Sequence, residues 1–290
     1  MDSRQLTLLD QTIRPHLPAT YRNLPCDSKL GDVAQDTALP TAAHLVYFPS
    51  YTNEFELSSD GYLADEAPPH PFTQRVWAGG LMVFNPNNPL RVGQLASQRK
   101  RVVDVRFKEK HGSDPLVLVR LALEMRNAQG PSTTEYRDLA YMKPVHLQSK
   151  VVKHRRTADF SHKLVPTEIF LFRYSALTWN SHRIHYDTRY AKEVEHHPGL
   201  LVHGPLTCTM LLQLLDCHMP ENMVLKSFEY RATSPMYCQE PMLLNGRWMT
   251  SSVRATTSGA LVDGARQCEL WSTNNEGGIT MRGVATLVPL

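Results

Sequence analysis

The sequence predicts an α+β protein in which antiparallel strands curl around a helix, with that unit present twice in one chain of 290 residues. Three observations carry this. Strand-like runs separated by turn clusters fill both halves, and each half ends in a hairpin signal, Asn127–Gly130 in the first and Asn274–Gly278 in the second. One segment, from Gly204 to about Cys217, is apolar almost all round and reads as a buried helix. Pro89–Gly93 before a long strand has a loose echo in Met236–Pro241, which suggests a duplicated unit. The division is placed at residues 1–150 and 151–290, the first half with a long N-terminal extension and a degenerate helix, the second with the clear one.

The elements follow in order. Met1 to Leu17 reads as an amphipathic helix with Leu6, Leu9 and Ile13 on one face. Pro18 to Pro71 has the composition of loops, interrupted by the apolar patch His44–Phe48, a helix turn that is the first half's only counterpart to the central helix. So long an irregular stretch is expected to wrap over something, such as a cleft. Strands are expected at Arg75–Phe84, Leu95–Lys108, Leu116–Met125 and Thr133–Met142, with Trp77-Ala-Gly-Gly80 suited to a bulge. Pro144–Pro166 reads as a basic linker, and Glu168–Ser175 as an apolar-aromatic strand. A polar loop follows, then a short helix near Thr188 with Asp187 as its N-cap, and then the Gly204 helix. The remaining strands are expected at Val224–Thr233, Met242–Met249, Ser251–Thr257, Gln267–Thr273 and Ile279–Val288.

Composition narrows the function classes. Apolar residues at 42% and charged residues at 20% describe a globular chain with a real core. A formal charge of +3 does not indicate a nucleic-acid or membrane-surface protein. The five cysteines, Cys26, Cys208, Cys217, Cys238 and Cys268, are scattered and form neither a disulfide framework nor a zinc pattern. No apolar run has the length of a membrane span, and Asp10 interrupts the only apolar stretch near the N-terminus. These features point to an intracellular protein, cytoplasmic or mitochondrial, with no membrane association.

The chemistry is expected between Phe172 and Leu215. There a titratable loop carrying Asn180, His182, His185 and Asp187 precedes the N-terminus of the buried helix at Gly204-Pro205. A titratable loop beside the N-terminus of a buried helix can do acid/base chemistry on a carbonyl compound, where negative charge develops on the carbonyl oxygen. His185 is the candidate proton shuttle, because imidazole titrates near neutrality. Gly204 is the candidate oxyanion donor, its N–H lying at the positive end of the helix, while Pro205 is read at N1 and has no N–H to give.

The run Tyr174-Ser-Ala-Leu-Thr178, Asn180-Ser-His-Arg-Ile-His185, Tyr186-Asp187, Pro198-Gly199 and His203-Gly204-Pro205 resembles the signature of MaoC-like hydratases and dehydratases. Arg75–Gly80 and Pro89–Gly93 are similar to its two-hot-dog branch, which holds type 2 3-hydroxyacyl-thioester dehydratases and mesaconyl-CoA hydratases. The resemblance implies a double hot-dog fold and a hydro-lyase acting on acyl thioesters. It implies no cofactor beyond the coenzyme A or phosphopantetheine of the substrate itself, and it allows a homodimer of double hot-dogs. Asn180 stands where most of the superfamily carries Asp, so His185 would move protons while Asn180 orients the water.

Rival readings are specific. A hot-dog thioesterase normally has a carboxylate on or beside the central helix, and here only Asp216 lies on it, near the far end. A non-catalytic thioester-binding protein is the reading that Asn180 invites. His182 and His185 resemble two metal ligands without a third at zinc-site spacing, so no metal is expected. Arg183 is the candidate partner of a substrate carboxylate. Tyr174 and His203 are further substrate-contact candidates, with core packing as the rival for each, and His196 and His197 read as loop surface. The runs Arg99–Arg101 and Lys153–Arg156 suit either a solvated face or the phosphates of a coenzyme A arm. Nucleic-acid binding is disfavoured because no aromatic residues interleave with them.

Overall fold

Asp2 opens the first helix by accepting a hydrogen bond from the Arg4 amide at 2.9 Å. Helix α1 (Ser3–Ile13) then buries Leu6, Leu9 and Ile13 on one stripe. The computed structural model describes residues 1–21, 33–65, 67–110, 113–143, 152–153, 156–250 and 263–290. The expected strand Ser251–Thr257, Cys26 and the middle of the basic run Lys153–Arg156 lie outside them.

Strands β1 (Gln74–Phe84), β2 (Ser97–Lys110), β3 (Ser113–Asn127) and β4 (Gly130–Met142) come from the first half. They are followed by β5 (Phe160–Leu164), α2 (Glu168–Thr178), α3 (Thr188–Glu193) and α4 (Gly204–Asp216). Strands β6 (Met223–Ala232), β7 (Met242–Trp248), β8 (Arg266–Thr273) and β9 (Ile279–Pro289) complete the chain. The nine strands of the described residues form one sheet in the order β2-β3-β4-β1-β6-β9-β8-β7-β5. The halves join where β1 pairs antiparallel with β6, from Gly79 opposite Arg231 to Val83 opposite Ser227. The result is a double hot-dog built on a single continuous sheet. The bulge foreseen in β1 is present as a register shift between Trp77 and Gly79. A Cβ on Gly80 would stand 2.1 Å from the Tyr136 carbonyl, so the backbones approach there as only glycine permits.

Helix α4 is the axis of the second half: every residue from Leu206 to Leu215 is buried. Among the described residues the first half has no equal. Its His44 patch is a single 3₁₀ turn, Ala43–Val46, although Ala43, His44 and Val46 are buried.

Two expectations are corrected. Glu168–Ser175 is not a strand but the body of α2, capped by the Thr167 hydroxyl on the Phe170 amide at 3.2 Å and ended by Trp179 in the left-handed region (φ 52°). Apolar side chains surround this helix, with Ile169 and Phe172 exposed while Phe170, Leu171 and Tyr174 are buried, so no 3.6-residue period is visible in it. The segment read as linker contains β5, which pairs with β7 at the sheet edge and lays the Phe160 ring over Gly246, where a Cβ would meet it at 2.0 Å. Among the described residues no helix is long and apolar enough to cross a membrane.

Leu211 is fully buried on α4. Leu211→Ala should lower the unfolding free energy by roughly 2–5 kcal/mol, the range for truncating a buried leucine. Denaturant titration of both proteins measures the difference.

Candidate active site

The loop after α2 turns on Asn180. Its side-chain carbonyl accepts the His182 amide at 3.0 Å, and the chain then makes a 3₁₀ turn, Arg183–His185. That turn swings His185 inward until its ring is buried, with Nδ1 2.9 Å from the Leu201 carbonyl. A carbonyl can only accept, so Nδ1 carries the proton and Nε2 keeps its lone pair. Burial, above all, pushes the His185 imidazole down to about 4, and the ring is neutral at pH 7. His203 stacks on it with ring centroids 3.6 Å apart.

A cavity of about 720 Å³ opens beside these groups and is lined by His185, Asn180 and Gly204 among others. Three candidates therefore share one space. Gly204 is the first residue of α4 after the N-cap His203, so its amide is one that the helix itself leaves unpaired. Pro205 consequently sits at the second helical position rather than the first. Gly204 is glycine for a packing reason: a Cβ there would lie 2.3 Å from the Trp77 indole.

The other three candidates fall elsewhere. The Arg183 guanidinium donates to Asp187 Oδ2 from Nε at 3.1 Å and Nη2 at 2.8 Å, lies 4.3 Å over the Tyr190 ring, and lines neither of the two cavities described here. Its expected place at a substrate carboxylate is corrected to a pin between loop and helix. Asp187 is the N-cap of α3, accepting the Tyr190 amide at 2.9 Å. His203 is wholly buried with Nε2 2.8 Å from the Ser175 hydroxyl, so it supports His185 from behind instead of meeting substrate. Tyr174 is fully buried with its hydroxyl 3.3 Å from that of Thr209, on the wall of a second cavity of about 480 Å³. His197, expected at the surface, is buried with its Nδ1 3.4 Å from the Tyr237 hydroxyl. Asp216 hydrogen-bonds with the Thr41 hydroxyl at 3.1 Å and lines neither cavity.

Tyr62, Arg137 and Asp60 had no signal in the sequence, and Arg75 stood only within the Arg75–Gly80 motif. Tyr62, Arg137, Asn180 and Pro205 line both cavities, so the two spaces meet at the N-terminus of α4. Arg137 is clamped by Glu135, Nε at 2.7 Å and Nη2 at 3.0 Å from its two carboxylate oxygens, and His44 Nε2 lies 3.6 Å from the same carboxylate. Burial alone would raise the Glu135 carboxyl, but the Arg137 guanidinium and His44 outweigh it and hold it at about 2. Arg75 is buried in the wall of the larger cavity. Its Nη2 donates to the Leu63 carbonyl at 3.1 Å, whereas Nε and Nη1 have no hydrogen-bond partner. Asp60, brought in by the long N-terminal loop, stands 3.6 Å from Arg75 Nη2 and 3.5 Å from His182 Nε2. The long loop thus does reach the cleft.

Comparison with known proteins identifies the family. Residues 42–238 match the family described as hydroxyacyl-thioester dehydratase type 2. The mesaconyl-C(4)-CoA hydratase of Chloroflexus aurantiacus is 34% identical over 223 residues, 75% of this chain and 78% of that protein. The mitochondrial hydroxyacyl-thioester dehydratase type 2 of Schizosaccharomyces pombe is 27% identical over 260 residues, 81% of this chain and 83% of that protein. Among solved structures, HtdX of Mycobacterium tuberculosis superposes with a TM-score of 0.64 at 15% identity, covering 100% of this chain and 97% of that one. A MaoC-like dehydratase of Phytophthora capsici gives 0.63 at 15% identity, covering 100% and 93%. The solved structures bear on the fold alone.

The buried Glu135–Arg137 pair predicts a pH dependence of stability. The carboxyl is depressed in the folded state, so its contribution is complete above the ordinary value of 4.5 and lost as pH falls from there through about 2. Glu135→Gln should remove that acid-side loss while lowering stability at pH 7 by roughly 3–5 kcal/mol, because the Arg137 cation is left buried without its counter-charge. Urea melts of both proteins between pH 3 and pH 7 separate the two effects.

Proposed function

From the premise that the chain belongs to the hydroxyacyl-thioester dehydratase type 2 family and is a hydro-lyase, we propose how its residues divide the work on an α,β-unsaturated acyl thioester. The observation that carries the proposal is the meeting of His185, with a free lone pair on Nε2, and the unpaired Gly204 amide in one cavity. The thioester carbonyl accepts from the Gly204 N–H at the positive end of α4, where charge appearing on that oxygen is stabilised. Water adds to the β carbon, His185 Nε2 takes its proton and returns it to the α carbon, and dehydration runs the same steps in reverse. Asn180 offers its NH₂ to the water, since its carbonyl oxygen is already occupied by the His182 amide.

The thioester lies where the two cavities join. The acyl group occupies one and the pantetheine arm the other, so coenzyme A or a carrier-borne phosphopantetheine enters as part of the substrate, with no separate cofactor. A carboxylated acyl group is a second reading at the same site. It is favoured by the buried, unpartnered Nε and Nη1 of Arg75 on the cavity wall, and the relative named for mesaconyl-C(4)-CoA acts on such a thioester. The thioesterase reading loses its catalytic carboxylate, because Asp216 is hydrogen-bonded to Thr41 away from both cavities.

Incubation with crotonyl-, mesaconyl- and longer enoyl-CoA should deplete enoyl absorbance without releasing free thiol. Thiol release would instead identify a thioesterase. His185→Ala should lower kcat by about 10²–10⁴-fold, the usual worth of a positioned acid/base. The acid limb of the wild-type rate profile should fall near pH 4, because a base depressed to about 4 is lost only as pH drops through that value.

A further inference from the structure

The side chain of Asn180 brings only donors to the reacting water, since its oxygen is held by the His182 amide at 3.0 Å. A water poised to attack has two O–H bonds to place, and His185 Nε2 accepts one of them. The next residue able to accept stands three positions before His185 in the chain. His182 lines the same cavity, its ring nearly perpendicular to that of His185 with centroids 5.5 Å apart. Two acceptors that share one water stand about 4.5 Å apart, and ring centroids 5.5 Å apart allow ring nitrogens at that separation.

We propose that His182, oriented by Asp60, is a second catalytic imidazole that accepts the other O–H of the attacking water. The inference rests on the hydro-lyase reading above and adds to it a residue pair.

The orientation comes from the far side of the ring. His182 Nε2 is buried and faces Asp60 Oδ2 at 3.5 Å, a separation that closes to an ordinary N–H···O bond with a contraction of about 0.5 Å. An N–H directed at the carboxylate places the proton on Nε2 and the lone pair on Nδ1. Asp60 is itself built in. Its Oδ1 accepts from the Ser58 hydroxyl and the Tyr62 amide, and its backbone carbonyl accepts from the Arg183 amide at 2.8 Å. The neighbouring Gly61 carbonyl accepts from the Ser181 hydroxyl, and Gly61 takes φ 78° where a Cβ would meet the Ser181 carbonyl at 2.3 Å. The two loops are stapled backbone to backbone, and the carboxylate and the ring meet at the staple. Burial first, then His185, Arg75 and His197, push the His182 imidazole well down, so the ring keeps an accepting lone pair at neutral pH.

The water is then fully specified. One O–H goes to His185 Nε2 and the other to His182 Nδ1, one lone pair accepts from Asn180 Nδ2, and the last lone pair faces the β carbon. The O–Cβ bond forms as the Cα=Cβ pair moves toward the thioester oxygen at Gly204. The proton taken by His185 goes to Cα, and His182 ends the cycle neutral.

The test uses the full chain. Two-bond ¹⁵N–¹H correlation spectra of ¹⁵N-histidine-labelled protein should show His182 protonated on Nε2, and Asp60→Asn should shift that proton toward Nδ1. With crotonyl-CoA or mesaconyl-CoA, His182→Gln and Asp60→Asn should each lower kcat by about 100-fold while KM moves by less than about threefold. A wild-type His182 protonated on Nδ1 overturns the proposal, as do variants within about threefold of a measurable wild-type kcat. A wild type that hydrates none of the enoyl thioesters overturns the hydro-lyase reading itself, and the catalytic part of this inference with it.

Discussion

The hydrogen bond between His185 Nδ1 and the Leu201 carbonyl, 2.9 Å long, is the constraint on which the site depends. It selects the tautomer that leaves Nε2 unprotonated, and it ties the loop after α2 to the segment that leads into α4. Ser175 serves the same end from behind by holding His203, whose ring backs that of His185 at 3.6 Å. An imidazole, its backing and the N-terminus of the helix are thus locked together before any ligand arrives. This pre-organisation is what gives hydrogen-bonding groups their value in a buried site.

Charge around this centre is balanced in pairs. Glu135 answers Arg137, Asp60 stands between Arg75 and His182, and Asp187 holds Arg183. The Glu135 and Asp60 pairs let a guanidinium or an imidazole stay out of water at a tolerable cost, whereas the Asp187–Arg183 pair is partly exposed. Arg75 retains unused donors on the cavity wall, with buried nitrogens lacking hydrogen-bond partners.

The fold was largely legible because the strands alternate and are separated by Asn-Gly and Pro-rich turns; β1, β3, β4, β6 and β9 lie within a few residues of where alternation puts them. Helix α2 was not legible as a helix, since Ile169 and Phe172 face outward beside a buried Phe170 and Leu171 and mask its period. Strand β5 is five residues long and becomes a strand only by pairing with β7. In the site, the spacing of Asn180, His185 and Gly204 pointed to one cavity because a local turn and a helix start set it. Asp60 was invisible and Arg75 stood only within the Arg75–Gly80 motif without a role, since a loop and a strand from the other half deliver them and no local pattern records that contact. Arg183 misled for the opposite reason: its charge is conspicuous, and Asp187, four residues on, consumes it.

The seam between β1 and β6 settles how the two halves can live apart. Each half owns only one long side of the junction, so separating them would bare two ribbons of unsatisfied amides and carbonyls, each ready to zip onto any stray chain. One half then depends on the other, since the wrapping loop of the first carries Asp60 to within 3.5 Å of His182 in the second.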